Sequence, residues 1–445
     1  MATKMEQYYK QLRTSFTKLA KLEFLNHDGT IAFVLDNNPR NKRSRAFLQS
    51  GQLTVNQQNG SRRTATVTLA NLNGDYEFSA DKIWFGQQIR LMEGLMLPDG
   101  TEFYLPQGVF YIKDPEEKLM PGMKTVTYNL VDKWSYLDGT LHGYLDGTYE
   151  IPLNTNIFTA IKSILDMNRG NGYPVDSVPP LFTEYYNERT TTLPDGTVIS
   201  DLLLPYVYRN DAENGSYADV VLEMGGILSA WVGYDATGRL RIEPGNDDIL
   251  DITKPIEWEF RPNETEFLGA TYTTKNTEVF NDLIIVGGSL TEYGYTAARA
   301  ENNNPRSDTS IGRIGRKTKK EMHNELYSES LCQNLALFKM KRQSILQKSV
   351  TIQCQQMFHI NENQLVTIAR PDKENSPIER HLVTGFTRPI AQNGAMQIQA
   401  TSVSDLYDVE LVMDGLPSTA AGIRAGATWT GWAKEAYATA TNNEQ

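Results

Sequence analysis

Between residues 299 and 320 the chain gathers Arg299, Arg306, Arg313, Arg316, Lys317, Lys319 and Lys320 against only Glu301 and Asp308. Seven cations against two anions leave a local balance of +5 in a chain whose formal charge is −11. Clustered guanidinium and ammonium groups attract phosphates and carboxylates. Three uses are therefore open: a phosphate or nucleic-acid site, a hinge, or a loop that docks on an acidic neighbour. The glycines and lysines of "IGRIGRKTKK" suggest a phosphate loop, but the Gly-x-x-x-x-Gly-Lys-Ser/Thr pattern is not met, since Gly315 is followed by Arg316, and no apolar strand leads in. Bases stack on aromatic side chains, and 299–320 has none. Arg299, Arg306, Arg313, Arg316 and Lys317 are accordingly read as candidate docking residues for an acidic neighbouring subunit.

Other chemistries find less support. Metal binding needs clustered ligands, whereas His27, His142, His323, His359 and His381 are scattered. Three Asp in "NDDILD" (246–251) read as a solvated turn. Carboxylates are plentiful, but no pair is singled out for glycoside cleavage, and there is no Gly-x-Ser-x-Gly elbow. Cys332 and Cys354 sit in no nucleophile or Cys-x-x-Cys motif and read as free thiols of a reducing compartment. The expectation is a non-enzyme with no catalytic, cofactor-binding or metal-binding residue.

The elements around these residues are mostly strands. A chain of 445 residues exceeds one hydrophobic core, so several domains are expected. An aromatic content of 10%, with 22 Tyr, favours β structure. No apolar run approaches the roughly 20 residues that span a bilayer. Residues 1–19 read as an amphipathic helix or arm, with Tyr9, Leu12, Phe16 and Leu19 at helical spacing. Over 20–150, "RRTATVTLA" and "KTVTYNLVDKW" alternate at period two, with turns at Asp28-Gly29, Asn73-Gly74 and Pro98-Asp99-Gly100. Short antiparallel strands at this spacing predict a small barrel.

Residues 151–252 predict an α+β domain. "NIFTAIKSILDMN" is helical with Asn154 or Thr155 as N-cap, Ser216 caps a second helix, and a hairpin turns at Thr237-Gly238. Loop and helix at 296–345 continue this domain, the helix running through about 321–346. Residues 173–215 read mostly as loop. A second β-barrel is expected from 253–295 with 346–410, then a loosely ordered Ala/Thr/Gly-rich tail, 411–445. Trp84, Trp134, Trp231 and Trp258 read as core; Trp429 and Trp432, in the tail, read as contacts for a partner. The fold class is thus mainly β, two small barrels plus an inserted α/β domain.

In that order, "RRTATVTLANLNGDYEFSADKIWFGQQIRL", "QGVFYIKDP", "VTYNLVDKWSYLDGTL", "SYADVVLEMGGILSAWVGYDATGRLRIEP", "VFNDLIIVGG" and "LCQNLALFKMKRQSILQKSVTI" resemble the hub proteins of phage tails and tail-like particles of Gram-positive bacteria. The likeness spans roughly 20–405. It implies a structural virion protein with two tube-like barrels per chain, three chains forming a ring of six barrels that pair edge to edge. Such a homotrimer adapts the sixfold tail tube or distal tail protein above to a threefold spike or tail-tip protein below. The lumen holds the tape measure protein and then passes DNA, and assembly takes place in the host cytoplasm. Part of the acidic charge could line that lumen. The alternatives are a distal tail adaptor or other baseplate component, a tail-associated cell-wall hydrolase, and a secreted carbohydrate-binding β protein. The last is disfavoured by an N-terminus without an apolar signal core.

Overall fold

Alternation in "RRTATVTLA" does what it predicts: in the strand Arg63–Ala70, Ala65, Val67 and Leu69 are buried while Thr64 and Thr66 face solvent. The computed structural model describes residues 3–38, 40, 48–71, 74–78, 83–168, 172–182, 190–192, 198–211, 213–244, 254–275, 279–289, 295–343, 347–403 and 410–411. The acidic turn at 246–251, Asn73, part of the 173–215 loop, and the tail beyond 411 with Trp429 and Trp432 lie outside the described residues.

After helix α1 (Lys4–Leu12), the first β unit comprises β1 (Lys18–Leu25), β2 (Ile31–Asp36), β3 (Leu48–Asn56), β4 (Arg63–Ala70), β5 (Gln88–Met96), β6 (Glu102–Met120) and β7 (Met123–Asp132). Their spatial order is β3-β4-β7-β6-β5-β1-β2, antiparallel throughout. Helix α1 is shorter than its periodicity suggests. A capping box between Thr3 and Glu6 starts it, it ends at Leu12, and Leu19 already belongs to β1. Gly29 and Gly100 take the positive φ that their turns require.

The middle domain holds short strands β8 (Tyr149–Ile151), β9 (Leu181–Phe182), β10 (Thr190–Thr192), β11 (Val198–Ser200) and β12 (Tyr208–Asn210), and the hairpin β13 (Ala230–Tyr234)–β14 (Leu240–Pro244). Helix α2 (Ile157–Asp166) is capped by Asn156, one residue past the expected Asn154 or Thr155, and α3 (Tyr217–Ile227) by Ser216 in a capping box. The second β unit contains β15 (Ile256–Phe260) and β16 (Phe267–Lys275) before an insertion. It resumes with β20 (Gln347–Cys354), β21 (Leu365–Ala369), β22 (Ile378–Ile390) and β23 (Met396–Val403).

The insertion differs from its expected division. β17 (Asp282–Ser289), placed by sequence in the second barrel, pairs instead with β18 (Tyr295–Glu301) and β19 (Thr318–His323), while β24 (Glu410–Leu411) joins β18. Helix Glu329–Gln343 starts eight residues later than expected because Thr318–His323 is a parallel strand on β17. Leu283, Ile285, Leu331 and Ala336 share one core with Ile161, Val221 and Met224, so the insertion packs with the middle domain.

The two β units are one sheet of 13 strands. Gly385–Ile390 of β22 ladders antiparallel onto Gly51–Asn56 of β3. A single apolar core runs through both units, from Leu22 and Phe110 to Ile352 and Ile398. The units also repeat each other: β3-β4-β7-β6-β5 and β16-β20-β23-β22-β21 have the same order and antiparallel pairing.

Candidate functional site

Where β22 meets β3, charged side chains point into the molecule. Arg388 and Glu93 are both fully buried; the guanidinium donates to Glu93 Oε2 through NH2 at 2.7 Å and Nε at 3.2 Å, and to Gln107 Oε1 at 2.6 Å and Met357 O at 2.5 Å. Lys18 Nζ lies 3.2 Å from Glu93 Oε1, its pKa pushed down to about 8 by burial. Arg63 on β4 donates to Glu362 Oε2 at 2.5 Å and to Gln107 O at 3.1 Å. Arg62 lies 3.9 Å from both Glu362 and Glu243, the latter on β14. Asp132, at the end of β7, accepts from the backbone of Arg62, Arg63 and Trp134 and from Ser61, and burial raises its pKa to about 6.

This network ties both β units and the middle domain together by buried, mutually paired charges. Such groups are costly to bury alone and hold their partners in one geometry when paired. Helix α1 adds a strap. Tyr8 accepts from Phe358 N at 2.9 Å, shares a hydrogen bond with His359 Nδ1 at 2.9 Å, and packs on Phe103 of β6.

The basic segment is ordered, and much of its charge is consumed within the chain. Arg299 is buried and grips Asp282 in a fork, Nε to Oδ1 at 2.7 Å and NH2 to Oδ2 at 2.9 Å, with Glu301 also 2.9 Å away. Arg316 reaches the same two carboxylates, and Arg313 pairs with Asp308 at 2.7 Å. Burial would raise the Asp282 carboxyl, but hydrogen bonds from Arg299, Thr318 and Arg316 hold it below the usual range. Asn281 pins the turn, donating to Thr309 O and Gly315 O and accepting from Lys317 N. The acidic neighbour expected on another subunit is, for Arg299 and Arg316, Asp282 and Glu301 of the same chain. The Arg306 and Lys317 side chains are exposed and make no ion pair among the described residues.

A pocket of about 440 Å³ lies between α3 and the turn after β19, lined by Tyr206, Leu222, Glu223, Gly226, Asn324 and Glu325. Burial pushes the Glu223 carboxyl up, against a hydrogen bond from Tyr208 at 2.9 Å. Glu325 goes the other way: burial is outweighed by His323, whose Nδ1 lies 2.9 Å from it. Among the described residues no three His, Cys, Asp or Glu are grouped to hold a metal ion, and no helix is long and apolar enough to cross a membrane. Cys332 and Cys354 are buried free thiols, with pKa raised by burial.

No protein-family model matches the chain, and no curated protein matches it in sequence. Solved structures do match. The tail protein from Neisseria meningitidis MC58 aligns with a TM-score of 0.56 at 9% identity, covering 88% of this chain and 98% of that one. The 43 kDa tail protein of prophage MuSo2 from Shewanella oneidensis aligns with a TM-score of 0.51 at 13% identity, covering 88% and 100%. Prophage tail protein gp18 from Listeria monocytogenes EGD-e aligns with a TM-score of 0.50 at 7% identity, covering 86% and 94%. At these identities the likeness is one of architecture, and it extends over nearly the whole length of each partner. The chain therefore has the fold of phage tail proteins.

Proposed function

We propose that the chain is a structural baseplate or tail hub, acting by assembly and not by catalysis, with three copies forming a ring around a channel for DNA. The observation that carries this reading is the internal repeat: one chain supplies two equivalent strand sets already joined edge to edge by β22 and β3. Three such chains present six equivalent units to a sixfold tube while keeping threefold symmetry for a tip. Ring order is the test. Light scattering and particle images of the purified chain should give a threefold particle near three times 50.2 kDa; a sixfold ring would instead mark a distal tail adaptor.

A tail-associated cell-wall hydrolase is the second reading, favoured by the pocket whose carboxylates, Glu223 and Glu325, are shifted in opposite directions. Incubation of the purified chain with bacterial cell walls should release no soluble saccharide. Release that disappears in Glu223→Gln would replace the hub reading with an enzyme.

A further inference from the structure

The internal repeat can be aligned residue by residue. β3 on β4 carries a bulge between Leu48 and Ser50, and β16 on β20 carries one between Phe267 and Gly269. Superposing the bulges puts Leu48 on Phe267 and their partners Leu69 on Cys354. The next ladders then put Val126 on Met396. One further step puts Glu116, opposite Thr127, on Thr387, opposite Gln397. Each strand has a register shift on the approach to this pairing, directly before it at Lys113/Glu116 and two pairs earlier at Val383/Gly385.

In this alignment β6 is the counterpart of β22. The ladder of β21 on β22 stops at Leu382, and from Gly385 onward the vacated edge is taken by β3. Likewise the ladder of β5 on β6 stops at Tyr111, but beyond Lys113 no described strand takes the edge away from β7. Residues 114–120 are all exposed, ending in Leu119 at 79% and Met120 at 44%. The counterpart of β3 is β16, which ends the sheet and, among the described residues, pairs only with β20. Its Leu268 is 60% exposed. A half-used edge on β6 and a free edge on β16 thus remain, one in each β unit, in the same roles that β22 and β3 play at the junction between the units.

We propose that β6 of one copy takes β16 of the next copy in an antiparallel ladder that reproduces the β22–β3 junction. This deepens the hub reading and rests on it only for the number of copies. Within the chain Thr387, Arg388, Pro389 and Ile390 face Thr54, Leu53, Gln52 and Gly51. Carried over, Glu116, Glu117, Lys118 and Leu119 face Thr273, Tyr272, Thr271 and Ala270 of the next copy. The exposed Leu268 then falls beside Leu119 and Met120, covering apolar surface on both copies. An unprotected edge invites pairing, and here the pairing closes the sheet.

Disulfide trapping in the full chain tests the register, because both native thiols are buried. Directly opposed residues come close enough for a disulfide only when the register is right. Lys118→Cys with Thr271→Cys should, on mild oxidation, convert most chains into covalently linked oligomers. Lys118→Cys with Val34→Cys, on the other free edge, should remain uncross-linked. Leu119→Asp and Leu268→Asp, both at exposed positions, should each lower the assembled mass while leaving the circular dichroism of the monomer unchanged. A trimer that does not cross-link at 118/271, equal cross-linking at Val34, or a chain that stays monomeric and uncross-linked overturns the ladder. A linked ring of some other order would keep the ladder and reject the threefold reading.

Discussion

Arg388 and Glu93 show how a single pair can hold large units together. Arg388→Met leaves Glu93 buried without its fork partner and should cost about 3–5 kcal/mol in denaturant unfolding. Adding Glu93→Met and Lys18→Met together should return much of that loss, since Glu93→Met alone would strand the buried Lys18 Nζ that lies 3.2 Å from Glu93 Oε1. These residues were hard to see in sequence. Arg63 in "RRTATVTLA", Glu93 in "IRLMEGLML" and Arg388 in "VTGFTRPI" occupy inward positions of alternating strands, and that alternation is the one local sign of them. The basic segment is far more conspicuous in sequence, yet two of its arginines are neutralised within the chain by Asp282 and Glu301. Glu321 carries a pH prediction. Although burial opposes it, hydrogen bonds from Lys319, Lys339 and His323 hold its pKa down to about 2. Its stabilisation is full above the ordinary carboxylate range and disappears as pH falls toward about 2. Lys339→Met should therefore reduce stability at pH 7 and flatten the acid limb of a stability–pH curve between about pH 5 and 2.

At the scale of elements, alternating strands, capped helices and glycine turns were legible because each depends on neighbours within a few residues. Ser216, Thr237-Gly238 and Pro98-Asp99-Gly100 act where their local chemistry places them. The β17–β19 sheet was not, because a parallel pairing between 282–287 and 318–323 leaves no periodicity signal that separates it from a barrel strand. Close approach of strands gives a further prediction. A Cβ on Gly385 would come within 2.5 Å of Val55 O across the junction. Gly385→Val should cost about 1–3 kcal/mol in thermal unfolding through overpacking, as the β22–β3 ladder is pushed apart. The α1 strap can be probed more gently. Tyr8→Phe removes the hydroxyl that serves Phe358 N and His359, and should lower stability by about 1–3 kcal/mol while the helix stays docked by its ring contacts.

For the whole molecule, dilution series followed by light scattering should show dissociation into single chains of 50.2 kDa without loss of β-sheet circular dichroism, because each chain already has its own continuous core. What the sequence determined by itself was the type of most of the longer elements, the mainly β character, and two separate strand-rich stretches flanking a helical one, whereas 318–323 and the short strands within 173–215 read as loop or helix. Hydrophobic periodicity and turn chemistry act over a few residues and are written locally. Only the tertiary structure decided that the two stretches are one sheet, that the 279–343 insertion packs on the middle domain, and that the edges of β6 and β16 remain open. Those outcomes depend on ladders such as Gly51 to Ile390, between residues more than 300 positions apart. Backbone hydrogen bonding carries no side-chain signature, so pairing across such a distance is settled by the geometry of the folded chain.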